Sequence, residues 1–168
     1  MACIPRKKRR MLPFRRTFIF LGLLALMVLT VPARAQKAYI SNYRPLADSL
    51  SAVYGIPSSV ILAVAIVESG AGTTRNARLL NNHFGIVGSN RLQKTHGIRT
   101  RYKQYPSVAA SYAAFCQLVA RRKFYPKLKG EKDYRKWVEA ISKTGYSERP
   151  AEWRKKIITA IQRNKLAN

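Results

Sequence analysis

The chain has 168 residues, of which 32 are Lys or Arg and only 7 are Asp or Glu, for a net charge of +25. That length suits one folded domain behind a leader, and two cysteines, one of them at position 3, exclude a disulfide-stapled scaffold. So positive a chain implies an anionic partner, and each of its few carboxylates calls for a reason.

Residues 1–35 read as an export signal. Arg6, Lys7, Lys8, Arg9, Arg10, Arg15 and Arg16 form a basic start, an apolar core runs from Phe18 to Val31, and Ala33-Arg34-Ala35 is a small-x-small cleavage site. The apolar run is short for a membrane span, and Cys3 precedes the core, so no lipid anchor is read; an uncleaved anchor is the alternative. Cleavage would leave Gln36–Asn168, with 24 basic against 7 acidic residues, a net +17. The expected location is periplasmic or extracellular, with no stable membrane span once the leader is removed. The expected partners are anionic polymers of the cell envelope rather than nucleic acid, for which no recognised motif is present. A basic surface that is merely solvated is the alternative.

Within the remaining chain, Pro45 at a first helical position predicts an amphipathic helix through Leu46, Leu50 and Val53 to Gly55. Pro57 opens a second helix, apolar on every side from Val60 to Val67, as a central and fully covered helix would be. Thr73 or Thr74 is placed to cap a short helix ending at Leu80. From Phe84 to Tyr105 the glycines and the period-two run Ile98–Lys103 predict a small β-hairpin lobe. Ser107 caps a helix bearing Val108, Tyr112, Phe115, Leu118 and Val119, in which Cys116 reads as a core residue. Asp133 caps the next, and Pro150 starts the last, with Trp153, Ile157, Ala160 and Ile161 facing inward. The expected fold is mainly α, with a small β-lobe and a cleft between the two parts.

Glu68 is the only carboxylate between Asp48 and Glu131, and it closes the apolar run directly before Ser69-Gly70-Ala71-Gly72. Burial and the negative end of the helix macrodipole both disfavour a carboxylate there and raise its pKa. A general acid needs that preparation; a capping or ion-paired Glu is the alternative.

Gly55-Ile56-Pro57-Ser58, Ala65-Ile66-Val67-Glu68-Ser69-Gly70-Ala71-Gly72-Thr73, Asn81-Asn82-His83-Phe84-Gly85-Ile86 and Gly145-Tyr146 occur in this order. Together they resemble the N-acetylglucosaminidase family of peptidoglycan hydrolases typified by the flagellar cell-wall hydrolase domain (glycoside hydrolase family 73). The resemblance implies a lysozyme-like fold over residues 36–168 and cleavage of β-1,4 glycosidic bonds at N-acetylglucosamine. It implies Glu68 as general acid and Tyr146 as a catalytic tyrosine beside the reacting sugar; a packed aromatic after a helix-ending glycine is the alternative for Tyr146. Asn82 and Phe84 fall at the joint between lobes as substrate-binding candidates, Phe84 beneath the groove, with structural roles for the pair as the favoured reading. Tyr102, Tyr105 and Tyr112 are candidates for contact with pyranose rings, and Arg99, Arg101 and Lys103 for stem-peptide carboxylates; core packing and a solvated strand face are the respective alternatives.

A second carboxylate is expected at about 5–5.5 Å from the acid in a retaining enzyme and roughly 6.5–9.5 Å in an inverting one. Relatives often carry one in the β-lobe or just before the proline that follows Gly-Tyr. This chain has no acid from Ser69 to Gly130, and Arg149 precedes Pro150, leaving Glu148 one position early. Assistance by the substrate's 2-acetamido group ranks first, Glu148 as the second carboxylate next, and a non-catalytic cationic wall-binding module last. A lytic transglycosylase or muramidase on the same scaffold is the enzymatic rival. No cofactor is implied. His83 and His96 lack ligand spacing, so no metal site is expected, and the protein is expected to be a monomer.

Overall fold

The computed structural model describes residues 33–167. The basic start and apolar core of the expected leader lie outside the described residues. The helices among the described residues are α1 (Ala33–Tyr54), α2 (Ser58–Ser69), α3 (Arg75–Leu80), α4 (Leu92–His96), α5 (Val108–Ala120), α6 (Tyr125–Leu128), α7 (Tyr134–Ser142) and α8 (Pro150–Arg163). None is long and apolar enough to cross a membrane.

Helix α2 forms the axis of the core. Val60, Ile61, Leu62, Ala63, Val64 and Ala65 are all 0% exposed, and α1, α5, α7 and α8 pack around them. Each fully buried Val, Leu or Ile side chain contributes about 1.5–3 kcal/mol, so this helix supplies much of the drive to fold. Its end is sharp. Gly70 adopts a left-handed conformation (φ +57°), and its N–H bonds to the Ile66 carbonyl. The Ser69 hydroxyl donates to the Ala65 carbonyl and accepts from the Gly72 N–H, which turns the chain away immediately after Glu68.

The expected caps occur where local chemistry places them. Thr74, Ser107 and Asp133 each accept a hydrogen bond from a backbone N–H of the turn that follows, at Ala77, Ala110 and Arg135. The first helix departs from expectation, because Pro45 lies inside α1 rather than at its start. Proline there removes one helical hydrogen bond. The turns before it are held by tertiary contacts instead: Tyr39 is 6% exposed, and its hydroxyl bonds to the His83 ring at 2.6 Å and the Tyr112 hydroxyl at 2.9 Å.

The predicted β-hairpin lobe is absent among the described residues. Residues 84–105 run out and back, but only Val87 and Tyr102 form an antiparallel bridge, and α4 occupies the far end. Two asparagines take over the work of a ladder. The Asn82 amide donates to the Ile86 and Lys103 carbonyls, both at 2.8 Å, and the Asn90 amide to those of Thr100 and Tyr102, both at 2.9 Å. The Thr100, Tyr102 and Lys103 carbonyls are thereby satisfied without a regular strand pair, while that of Ile86 also accepts from the Lys103 N–H at 2.8 Å.

Candidate active site

Glu68 is delivered by the last turn of α2 to one wall of a cleft of about 550 Å³. The opposite walls come from the 85–87 and 101–102 segments, the 145–149 turn, and the start of α8. The Trp153 indole N–H donates to Glu68 Oε1 at 2.7 Å. The other carboxylate oxygen faces Gly85, where a Cβ would stand only 3.4 Å from Oε2. Gly85 has φ +64°, a conformation that side-chain-bearing residues rarely adopt, so glycine serves there for both its backbone and its lack of bulk.

Burial raises the Glu68 pKa above the ordinary carboxylate value; the Trp153 hydrogen bond and the nearby Lys156 charge oppose that rise without cancelling it. The group thus holds its proton to higher pH than a solvated glutamate while opening onto a space that a ligand can enter.

Tyr146 also lines the cleft. Its hydroxyl donates to the Phe84 carbonyl at 2.6 Å, and its ring packs against Trp153 at 5.4 Å between centroids. Burial, followed by the negative charge of Glu68, drives its pKa well above that of a free tyrosine, so the hydroxyl keeps its proton. The effect of this arrangement is mechanical: Tyr146 ties the 145–149 turn to the backbone that carries Gly85.

The remaining candidates separate by location. Tyr102 is half-buried and lines the cleft, with the Arg101 guanidinium 5.8 Å from its ring centroid. Glu148 is on the cleft as well, but its side chain is 91% exposed and lies 3.8 Å from Arg101. Asn82 is 2% exposed, and its side-chain oxygen also accepts from the Ile86 N–H, so its polar atoms serve the backbone of residues 84–103. Phe84 lies beneath the site at 1% exposure, its ring stacked on Phe115 at 4.5 Å between centroids. Tyr105 is 5% exposed and borders a separate recess with Ser89, Gln104 and Pro106. Tyr112 is 0% exposed, bonded to Tyr39 and packed edge-on against Phe84, so no sugar ring reaches it. Lys103 turns back over the Tyr105 ring at 5.1 Å.

Sequence reasoning missed the part played by α8. Trp153 reads as a core residue and is one, at 4% exposure, yet its N–H reaches the carboxylate. Glu152 and Lys156 also line the cleft. The signal was present in the spacing: positions 149, 152, 153 and 156 fall on one helical face. His83 belongs to the packing beneath the site, where burial lowers its pKa to about 4 and keeps the ring neutral.

Comparison with solved structures finds the same fold in several proteins. The catalytic domain of the autolysin Auto from Listeria monocytogenes is 20% identical, with a TM-score of 0.66 over 92% of this chain and 98% of that one. The glycoside hydrolase domain of Salmonella typhimurium FlgJ is 20% identical, with a TM-score of 0.58 over 77% of this chain and 88% of that one. A type VI secretion system effector–immunity complex from Pseudomonas protegens gives 20% identity and a TM-score of 0.58, over 78% and 94% of the two chains. A search of curated proteins finds no match. Residues 44–166, which include Glu68, Gly85, Tyr146 and Trp153, match the family model Glucosaminidase, described as mannosyl-glycoprotein endo-beta-N-acetylglucosaminidase; the chain belongs to this family and is a glycoside hydrolase.

Proposed function

We propose that the protein is exported and cuts the glycan strand of peptidoglycan at N-acetylglucosamine, with Glu68 as the general acid. The observation that carries this reading is the Glu68 carboxyl itself. It is held by Trp153 on one side, left open on the side of Gly85, and raised in pKa by burial at the wall of a sugar-sized cleft. Tyr102 offers a ring for stacking on a pyranose, and Tyr146 positions the wall opposite Glu68.

The glycosidic C1–O bond breaks as the Glu68 proton passes to the leaving oxygen and the carbonyl oxygen of the substrate's own 2-acetamido group bonds to C1. Water then attacks C1 and opens that ring, its proton returns to Glu68, and a reducing N-acetylglucosamine end is left. This route is supported by the state of the other carboxylates on the cleft. Glu148 and Glu152 are 91% and 59% exposed at their side chains and sit beside Arg101 and Arg149 respectively. A hydrated carboxylate shared with a guanidinium is poorly prepared to attack carbon. Glu148 as the second carboxylate is the other reading, favoured by its place on the same cleft.

Mass spectrometry of fragments released from purified sacculi tests the proposal. Wild-type protein should release fragments with reducing N-acetylglucosamine ends, and Glu68→Gln should release almost none. Anhydro-muramyl ends would identify a lytic transglycosylase instead, and wild-type binding without new ends would identify a wall-binding module.

A further inference from the structure

We infer that the groove formed by the end of α5, α6 and α7 is a second binding site, shaped for a single strand of a phosphodiester polymer. The groove has a volume of about 830 Å³. Its floor is apolar, made by Phe124, Leu128 and Ala140, and its rim carries Arg121, Arg122, Lys123 and Lys127. None of these four cations forms an ion pair among the described residues, whereas Lys136 and Lys143, farther along, are held by Glu131 and Glu139 at 2.6 and 2.9 Å. Arg122 adds a separate observation: its Nε is buried and has no hydrogen-bond partner, a donor that a ligand oxygen would satisfy.

The floor is built to stay in place. Phe124 packs edge-on against the fully buried Trp137 at 6.2 Å between centroids, and the Tyr125 hydroxyl bonds to the Tyr54 carbonyl at 2.7 Å. The backbone that carries the cations is thus fixed before an anion arrives, which lowers the cost of binding.

The chemistry of the rim and the shape of the floor select the occupant. Two guanidiniums within a run of four cations match the paired free oxygens of phosphodiesters, which stay ionised across the pH range in which proteins are folded. The floor accepts the carbon backbone that links them. A flat lipid surface would touch the rim and leave the concave floor empty. Lys143 and Thr144 line this groove, and the next two residues of the chain, Gly145 and Tyr146, line the catalytic cleft. A polymer seated here would hold the cleft beside the glycan without entering it, and binding is read without any turnover.

Fluorescence anisotropy with labelled poly(glycerol phosphate) tests the site, using Arg121→Gln/Lys123→Gln/Lys127→Gln, three exposed positions, and a second variant that adds Arg122→Gln. A charge-matched control changes exposed Arg75, Arg78 and Arg163 to Gln, none of which lines either site. The groove variant should lose at least about tenfold in affinity and the control less than about threefold, since desolvated, paired contacts outweigh screened surface charge. Equal losses in the two would overturn the proposal, by showing that net charge alone attracts the polymer. Two further probes distinguish the chemistry. Equal affinity for polyglutamate would overturn the phosphate assignment. Equal binding to vesicles of phosphatidylcholine and phosphatidylglycerol, lost in the groove variant, would reassign the surface to membranes.

Discussion

Trp153 and Glu68 stand 85 residues apart and meet through one hydrogen bond, from the indole N–H to Oε1 at 2.7 Å. The bond favours the ionised carboxylate, so it limits how far burial can raise the Glu68 pKa. Trp153→Phe keeps an aromatic ring in place, removes the donor and leaves a small void in the core. The Glu68 pKa should then rise further. A general acid is lost as pH rises through its pKa, so the basic limb of the pH–rate profile should move to higher pH. The freed carboxyl is also less well aimed, and kcat should fall by about tenfold. A pH–rate profile with an unmoved basic limb would show that Trp153 serves packing alone.

Glu68→Gln should lower kcat by about 10²–10⁴-fold, the range expected when general acid catalysis is removed. The same change should raise the melting temperature at neutral pH. A carboxyl whose pKa is raised on folding contributes stability below its unfolded value and loses that contribution as pH rises. The neutral amide escapes that loss, so the gain should be largest at neutral pH and vanish in acid, where wild type is also uncharged. Thermal melts across pH check the sign.

Glu148→Gln distinguishes the two routes to the second half of the reaction. With the acetamido group acting, kcat should fall by less than about threefold, because the 91% exposed side chain then only tunes the field at the rim. A loss of about 10³-fold or more, restored by azide as an external nucleophile, would make Glu148 the attacking group.

Gly85→Ala should harm both folding and activity. The backbone at φ +64° costs an L-residue about 1 kcal/mol or more, and the new methyl would sit 3.4 Å from Glu68 Oε2. On the proposed mechanism that oxygen faces the leaving group. Activity should fall by more than the unfolded fraction explains, which circular dichroism and sacculus clearance measured together would reveal.

His83 sets an acid limit on the fold. Burial lowers its pKa from 6.5 to about 4, so the unfolded chain binds a proton that the folded chain refuses. Stability should therefore decline as pH falls through that interval. His83→Gln should flatten the decline, at some cost from the altered bond to Tyr39.

What could be seen in advance follows the range of the interactions. Ser107 and Asp133 cap their helices through neighbours three and two residues away, and such caps are legible from the letters alone. Glu68 stood out because a chain this poor in acids placed one against an apolar helix end. The start of α1 was hidden because Tyr39 holds it through His83 and Tyr112, 44 and 73 residues away. The β-lobe failed for a related reason. The alternation from Ile98 to Lys103 is real, but Asn82 and Asn90 supply side-chain donors where a partner strand would have supplied backbone ones. Trp153 was legible as a buried ring and illegible as a donor, since burial follows from spacing while a partner in another helix does not.

Helix α8 fills the core with Trp153 and Ile157 and meets the carboxylate with the same tryptophan. Assembly and competence are therefore one event. A partly folded molecule with this segment undocked would leave Glu68 wetted by bulk solvent and behaving as any surface glutamate. On the proposed mechanism, the general acid is prepared only when the final helix closes.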